Sequence, residues 1–180
     1  MDKLYRAGNK EARPNTMSYT SVLNSCAFPA VPDPRTRRKA LDTAIFTLEE
    51  LQSSRYGHAN SVTYGTFILA AANLLEEDDD VLRRQLIERA FQQCCKDGQV
   101  GEMVLNHLRR AAPPDLYEEL LADFVRSGAR LSVTDLPLEW RRNVRDKDGW
   151  KKATTRNNQR GRRTPRHRKN EKGRQNPLLP

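Results

Sequence analysis

Histidine and cysteine are the residues of this chain that could carry catalysis or bind a metal, and their spacing supports neither. His58, His107 and His167 lie in separate segments, without the short spacings that bring zinc ligands together. Cys94 and Cys95 are adjacent, so a helix would direct the two thiols to different faces, and one of them is expected to fill the core. Nucleotide-binding glycine loops and the Gly-x-Ser-x-Gly hydrolase motif are absent. We therefore predict a protein that is not an enzyme, with no catalytic residues, metal or cofactor.

A different pattern recurs, in which amides, hydroxyls and a tyrosine precede an apolar run. Residues 14–23 read Pro-Asn-Thr-Met-Ser-Tyr-Thr-Ser-Val-Leu, and residues 59–68 read Ala-Asn-Ser-Val-Thr-Tyr-Gly-Thr-Phe-Ile. The two segments share Asn, a small hydroxyl residue, an apolar residue, Ser or Thr, and Tyr at an offset of 45 residues. Such a recurrence indicates stacked supersecondary units that bury their apolar faces only against their neighbours.

The elements that would position these residues are helices. Apolar residues recur at helical spacing over residues 40–51, 64–75 and 82–94, and no segment alternates apolar with polar residues over a strand's length. Gly98 is expected to end the third of these helices, because glycine adopts the left-handed conformation that closes a helix. Three prolines within residues 28–38 predict an extended loop between helices. The sequence therefore predicts an all-α chain of helix pairs.

The first helix of each unit resembles that of a pentatricopeptide repeat. The hallmark is a Val-Thr-Tyr-like opening preceded by Pro-Asn or Pro-Asp, followed by an Ala- and Leu-rich second helix such as residues 39–44. The resemblance is strongest over residues 14–97 and weaker over 99–126, where the opening is lost. It implies an α-α superhelix, a solenoid of antiparallel helix pairs. The tetratricopeptide alternative expects a Trp and a Leu-Gly pattern that neither first helix contains.

This resemblance divides the chain into repeats. The expected segments are, in order, a remnant of a preceding repeat (1–16), a first complete repeat with a Pro-rich inter-helix loop (17–61), a second repeat (62–98), a degenerate repeat (99–127), a cap segment (128–150) and a tail (151–180). In the cap segment, Trp140 is expected to fold back onto the last helix pair. Met1 resembles an internal start, so either the native chain is longer or the first repeat is a remnant that acts as a cap. We expect the former, a C-terminal fragment of a longer array with further repeats in the native chain.

The net charge of +9 is concentrated at the C-terminal end. Residues 141–180 hold 15 basic and three acidic residues, a net of +12, which leaves residues 1–140 at −3. The tail is rich in Arg, Asn, Gln and Gly, a composition that predicts disorder. A solvated tail, a nucleic-acid-binding arm and a nuclear or nucleolar address all fit such a charge block. The candidate phosphate contacts of the tail are Arg160, Arg162, Arg163, Arg166, Arg168 and Lys169.

The resemblance implies that the chain binds single-stranded RNA, with about one base read by each repeat. In the family, the readers are the residue after the Tyr and the last residue before the next opening. Here these are Thr20 with Asn60, a pair that would favour adenine by analogy, and Asn15 as the closing reader of the remnant. Gly65 follows the second Tyr and has no side chain with which to read a base.

Other residues of the recurrent motif have expected roles in packing or in base stacking. Met17 and Val62, at the openings, would sandwich bases by family analogy. Tyr19 and Tyr64 are expected to pack in the interior instead of stacking on RNA. The asparagines have an alternative role, because Asn commonly caps helix N-termini.

Two function classes remain open at this point. The first is RNA binding in RNA processing, stability or translation, and the second is a protein-binding helical scaffold whose tail docks on the ribosome or an acidic partner. A membrane protein is not expected, because no apolar run approaches the roughly 20 residues that span a bilayer. No small-molecule substrate is expected. The resemblance implies a mitochondrion or plastid, although the first six residues do not have the composition of a transit peptide.

Overall fold

A computed structural model describes residues 2–29, 33–76, 79–124 and 131–144 of the chain. Within these ranges every regular element is helical, so the chain is all-α as the sequence predicts. The α-helices are α1 (Asp2–Arg6), α2 (Thr16–Ala27), α3 (Pro34–Ser53), α4 (Ser61–Leu74), α5 (Asp80–Lys96), α6 (Glu102–Ala111), α7 (Pro114–Leu121) and α8 (Leu138–Arg141). Single 3-10 turns occupy Lys10–Ala12 and Val133–Asp135. The candidate phosphate contacts of the tail lie outside the described residues.

Consecutive helices pack against one another in pairs, and the pairs pack against their neighbours. Helix α4 contacts both α2 and α6, and it also packs on α3 and α5. Helix α3 packs on α2, α7 contacts α5 and α6, and α8 packs on α5. We call α2, α4 and α6 the front helices, because each is the first helix of a unit. The arrangement lets each unit bury its apolar face on the next.

Helix α4 is the most deeply buried of the described helices. Its residues 63–68 are all buried, which requires contacts around most of its circumference. The sequence agrees, because residues 59–75 contain no charged side chain. The residues at the predicted helical spacing fill the core, which includes Leu41, Leu48, Leu51, Tyr64, Phe67, Ile68, Ala90, Phe91 and Cys94. Burial of Tyr64 and of Cys94 confirms the packing roles predicted for them.

Two helices end at a left-handed glycine. Gly98 has φ +65°, its N–H donates to the carbonyl of Cys95, and the next N–H, from Gln99, donates to the carbonyl of Cys94. This pair of hydrogen bonds is the Schellman arrangement, and it confirms the helix end predicted at Gly98. Gly8, at φ +99°, ends α1 in the same manner.

The loop predicted over residues 28–38 is shorter than expected. Pro34 is the first residue of α3, and Asp33 caps the helix by accepting hydrogen bonds from the N–H groups of Arg35 and Thr36, both at 3.1 Å. The prediction was wrong for residues 34–38, which are helical. The first turn of a helix tolerates proline because that N–H has no intrahelical partner.

Trp140 anchors the segment that follows α7. Its ring makes edge-to-face contacts with Phe91 of α5, at 5.8 Å between centroids, and with Phe124, at 5.2 Å. Its carbonyl accepts a hydrogen bond of 2.8 Å from the N–H of Val100. The segment around Trp140 therefore folds back onto α5 and onto Phe124, which follows α7.

Candidate functional site

The two asparagines proposed as readers cap the first two front helices. Asn15 Oδ1 accepts from the N–H of Ser18 at 2.9 Å, and Asn60 Oδ1 accepts from the N–H of Thr63 at 3.0 Å. Because only Oδ1 can accept from an N–H, the hydrogen bond from the backbone directs each amide oxygen towards the first turn of its helix. The spacing Asn-x-x-Ser/Thr therefore has a local structural cause, since it satisfies backbone donors that the helix leaves unpaired. Asn15 and Asn60 are both exposed.

Thr20 and Asn60 are connected through the hydroxyl of Thr63. Thr63 Oγ1 lies 3.0 Å from Asn60 Oδ1 and 2.9 Å from Thr20 Oγ1. Because Asn60 Oδ1 is only an acceptor, Thr63 donates to it, and Thr20 then donates to Thr63. Thr20 retains acceptor capacity on its oxygen, and Asn60 retains the two N–H donors of its Nδ2. The structure thus brings together the two residues that the sequence pairs.

Gly65 lies where α4 and α6 approach closely. A Cβ at this position would lie 2.9 Å from Met103 Cγ, and the Gly65 carbonyl oxygen is 2.7 Å from His107 Nδ1. The glycine therefore serves helix packing, because the side chain of Met103 lies against the position that a Cβ would occupy. The cap of α6 is Gly101, so the residue corresponding to Asn60 also lacks a side chain in this unit.

Three exposed apolar residues occupy the same place on the three front helices. Met17, Val62 and Met103 are each the second residue after the helix cap, and they are 77%, 46% and 41% exposed. We call these three residues the front row. The sequence pattern identifies Met17 and Val62 but misses Met103, because α6 has Gly101 and Leu105 where the other front helices have Asn and Tyr.

The fifth residue after each cap forms a second set. These residues are Thr20, Gly65 and Asn106, and the sequence pattern misses Asn106 for the same reason that it misses Met103. Asn106 Oδ1 accepts a hydrogen bond of 3.1 Å from Nη2 of Arg109, so an amide and a guanidinium lie together on α6.

Charge is unevenly distributed over the front helices. Residues 14–29 and 59–75, which contain α2 and α4, carry no Asp, Glu, Lys or Arg. Helix α6 carries Glu102, Arg109 and Arg110, all exposed. The surface of α2 and α4 therefore offers hydroxyl, amide and apolar groups but no side chain that could neutralise a phosphate.

The loop ahead of each later front helix packs on the start of the previous one. Thr16 Oγ1 donates to the carbonyl of His58 at 2.9 Å and accepts from the N–H of His58 at 3.2 Å. One unit later, the N–H of Ser61 donates to Gln99 Oε1 at 3.3 Å. Gly57 permits the first contact, because a Cβ there would lie 2.8 Å from the backbone nitrogen of Thr16. The units are thus joined through the backbone as well as through the core.

Tyr64 has a structural role beneath this surface. Its hydroxyl donates to Asp97 Oδ2 at 2.5 Å, and Gln93 Nε2 donates to Asp97 Oδ1 at 2.9 Å. Burial, followed by the hydrogen bond to Asp97, raises the pKa of Tyr64 far above its ordinary value. The hydroxyl therefore stays protonated and ties α4 to the end of α5.

The described residues provide no arrangement for metal binding or membrane crossing. No group of three or more His, Cys, Asp or Glu side chains among them could hold a metal ion. None of the helices described is both long and apolar enough to cross a membrane.

Comparison of the chain with known proteins identifies no relative. No model of a protein family matches the sequence, and neither a curated protein nor a solved structure is similar to it. The function of the chain has therefore to be argued from its own residues.

Proposed function

We propose that this chain is a helical-repeat protein of the pentatricopeptide type, whose front helices bind single-stranded RNA. In this proposal the helix pairs form a superhelical solenoid and the basic tail adds affinity for phosphates. The observation that carries the proposal is the front row, because three exposed apolar side chains at one position of successive units create two slots. Other large apolar side chains are also exposed, but these three share one position on successive front helices, as a repeated binding surface requires.

Each slot corresponds to one repeat step and takes one base. The first slot lies between Met17 and Val62, with Thr20 and Asn60 beside it, and the second lies between Val62 and Met103. Apolar side chains on both sides of a base replace its stacking neighbours, and this contact is tolerant of sequence.

The first slot reads the base. The Thr20 hydroxyl hydrogen and Asn60 Oδ1 already form hydrogen bonds with Thr63. Thr20 therefore offers its oxygen as an acceptor, and Asn60 offers the donors of Nδ2. Adenine and cytosine both present an exocyclic amine beside a ring nitrogen acceptor, which complements this pair, and the family analogy favours adenine of the two.

The second slot accepts any base. Gly65 and Gly101 have no side chains at the two reading positions, so no side-chain hydrogen bond from them can distinguish one base edge from another there. In this proposal both slots contribute to affinity, and only the first slot contributes to base selectivity.

Substitution of the front row tests the proposal. Binding of the full chain to a fluorescent single-stranded RNA is measured for Val62→Ser and for Val81→Ser, which removes another exposed valine, from α5. Val62 borders both slots, so its loss should weaken binding about tenfold or more, since base stacking contributes roughly 1–3 kcal/mol. The Val81→Ser variant should bind as the wild type. Equal affinities for the two variants would contradict the proposal.

A protein-binding scaffold is the second candidate, and the absence of charge on α2 and α4 favours it. A surface of exposed apolar and hydroxyl groups without phosphate contacts also suits a peptide helix. The two candidates differ in their response to Thr20→Val. An RNA reader loses its preference for adenine over the other bases, whereas a scaffold retains its partner and shows no base preference at any stage.

A further inference from the structure

Two arginines and two tyrosines form a cluster at the edge of the first unit. The guanidinium carbons of Arg13 and Arg55 lie 5.7 Å and 5.0 Å from the ring centroid of Tyr56. The ring of Tyr5, on α1, packs edge-to-face on Tyr56 at 5.3 Å. We call these four residues the edge cluster. It brings together residues that the chain separates, because Tyr5 and Arg13 precede α2 while Arg55 and Tyr56 follow α3.

The cluster is positively charged, and its cations have no acidic partner among the described residues. No carboxylate of those residues forms an ion pair with Arg13 or Arg55, in contrast to Arg37, Arg83 and Arg84. Both side chains are exposed. Arg55 donates one hydrogen bond, to the Tyr56 hydroxyl at 2.8 Å. Among the described residues, the remaining N–H donors of the Arg55 guanidinium and those of the Arg13 guanidinium have no hydrogen-bond partner.

The tyrosine ring holds the guanidiniums in place. An arginine over an aromatic face gains roughly 0.5–1 kcal/mol at an exposed site, and its N–H edge stays accessible. Exposed arginines otherwise lose conformational entropy when they bind a ligand. Two guanidiniums ordered on one ring thus form a prepared site for phosphate, which arginine binds through paired N–H donors.

The edge cluster lies next to the start of α2. The residue after Tyr56 is Gly57, where a Cβ would lie 2.8 Å from the backbone nitrogen of Thr16 and 3.4 Å from the carbonyl carbon of Asn15. Asn15 is the cap two residues before Met17, the first member of the front row. The edge cluster and the first member of the front row thus both lie near the start of α2.

We propose that the edge cluster binds the phosphate backbone of single-stranded RNA beside the first slot. This inference rests on the proposed function, and it supplies the charge that α2 and α4 lack. Binding of a single strand depends on phosphate contacts for most of its sequence-independent affinity. The cluster would thus set affinity and salt dependence, whereas the front row and Thr20 set which base is bound.

A double variant of the full chain tests the proposal. Arg13→Ala/Arg55→Ala is compared with Arg35→Ala/Lys39→Ala, which removes two exposed positive charges from α3. Affinity for an oligo(U) RNA is measured over a salt series. On single strands each phosphate contact contributes about −0.7 to the slope of log K against log salt. The Arg13→Ala/Arg55→Ala variant lacks two contacts, so its slope should be shallower by about 1.4. The α3 variant should keep the wild-type slope.

A second pair of variants tests the role of the ring. Tyr56→Leu removes the surface that holds both guanidiniums and should reduce affinity several-fold, whereas Tyr56→Phe keeps the ring and should bind nearly as the wild type. Equal binding by these two variants would overturn the ring's role. Wild-type affinity and slope in the arginine variant would overturn the whole site.

The outcomes separate this inference from the proposed function. Loss in the arginine variant with no loss in Val62→Ser supports the edge cluster and contradicts the slots. Loss in Val62→Ser alone supports the slots and contradicts the edge cluster. An equal loss of affinity for duplex DNA or anionic vesicles in the arginine variant would contradict the assignment to a single strand, and a wild-type chain that binds no RNA would overturn both proposals.

Discussion

Thr20 and Asn60 share one buried hydroxyl, that of Thr63, although they lie on neighbouring helices. Thr63 Oγ1 is 2.9 Å from Thr20 Oγ1 and 3.0 Å from Asn60 Oδ1. The same oxygen also accepts from the N–H of Asn60 at 3.3 Å, which closes a capping box. A single side chain thus sets the rotamer of both residues that the sequence pairs.

Replacement of Thr63 should therefore destabilise the fold through a lost cap and an unpaired buried group. We expect Thr63→Val to lower the free energy of unfolding by about 1–2 kcal/mol. Thr63→Ser retains the hydroxyl and should lose less than half as much. Urea denaturation followed by circular dichroism measures both, and a loss in Thr63→Ser as large as or larger than that in Thr63→Val would contradict the dominant role of the hydroxyl.

The two close-approach glycines should respond differently to alanine. At Gly57 a Cβ meets the backbone nitrogen of Thr16 at 2.8 Å, so Gly57→Ala requires a backbone shift and should cost about 1–3 kcal/mol. At Gly65 a Cβ meets Met103 Cγ at 2.9 Å, so the side chain of Met103 must shift. The alanine gains helix propensity of up to about 1 kcal/mol, which offsets part of this cost, so Gly65→Ala should destabilise the fold less than Gly57→Ala does. Urea midpoints of the two variants, measured side by side, test this; a Gly65→Ala variant less stable than Gly57→Ala would show that α6 cannot adjust.

Stability should decline in alkaline solution. Burial raises the pKa of the Cys95 thiol to about 12, and burial together with Asp97 raises the pKa of Tyr64 further. Groups whose pKa is higher in the folded state contribute their full stability below the unfolded pKa, about 8.5 for Cys and about 10 for Tyr. That contribution is lost as the pH rises above these values towards the folded ones. The contribution of these groups to the urea midpoint should be constant between about pH 7 and 8, and the midpoint should fall from about pH 9 to about 11.

A matched variant tests whether Tyr64 causes the loss of stability above about pH 10. Tyr64→Phe removes the phenol, so the additional loss above about pH 10 should disappear, although Asp97 loses its donor at every pH. An unchanged fall between about pH 10 and 11 in this variant would exclude Tyr64 as its origin.

Trp140 should be the residue on which the C-terminal segment of the described fold depends. Trp140→Ala removes edge-to-face contacts with Phe91 and Phe124, and it should lower the free energy of unfolding by about 2–4 kcal/mol. Trp140→Phe keeps an aromatic ring and should lose about half as much. Circular dichroism during urea denaturation measures the effect, and a loss below about 1 kcal/mol in the alanine variant would contradict this role.

Helix positions could be predicted because apolar spacing and cap residues act locally. The face over residues 40–51 and the left-handed end at Gly98 both follow from interactions within a few residues. The Asn caps were also predictable, as an alternative to base reading. The start of α3 was misjudged, because proline breaks a helix in its interior yet fits its first turn, and Asp33 directly before Pro34 was the signal that distinguishes the two.

Relationships between units could not be predicted from the sequence. Met103 joins the front row although α6 lacks the Asn and Tyr that mark the other front helices, so its register depends on how the helix packs. The contact of Tyr5 with Tyr56 links distant segments and leaves no periodic signal. The shared hydroxyl of Thr63 requires the distance between α2 and α4, which only the fold supplies.

Residues 14–29 and 59–75 contain no charged side chain, so the side chains of α2 and α4 give this surface no formal charge. No side chain there titrates near neutral pH or carries a counterion to release, so whatever binds this surface does so with an energy that salt and pH leave alone. Extrapolating affinity to high salt thus isolates what these two helices contribute. The salt-dependent part of the affinity comes from other parts of the chain. One salt titration therefore separates the contribution of these two helices, which includes the selectivity, from electrostatic attraction.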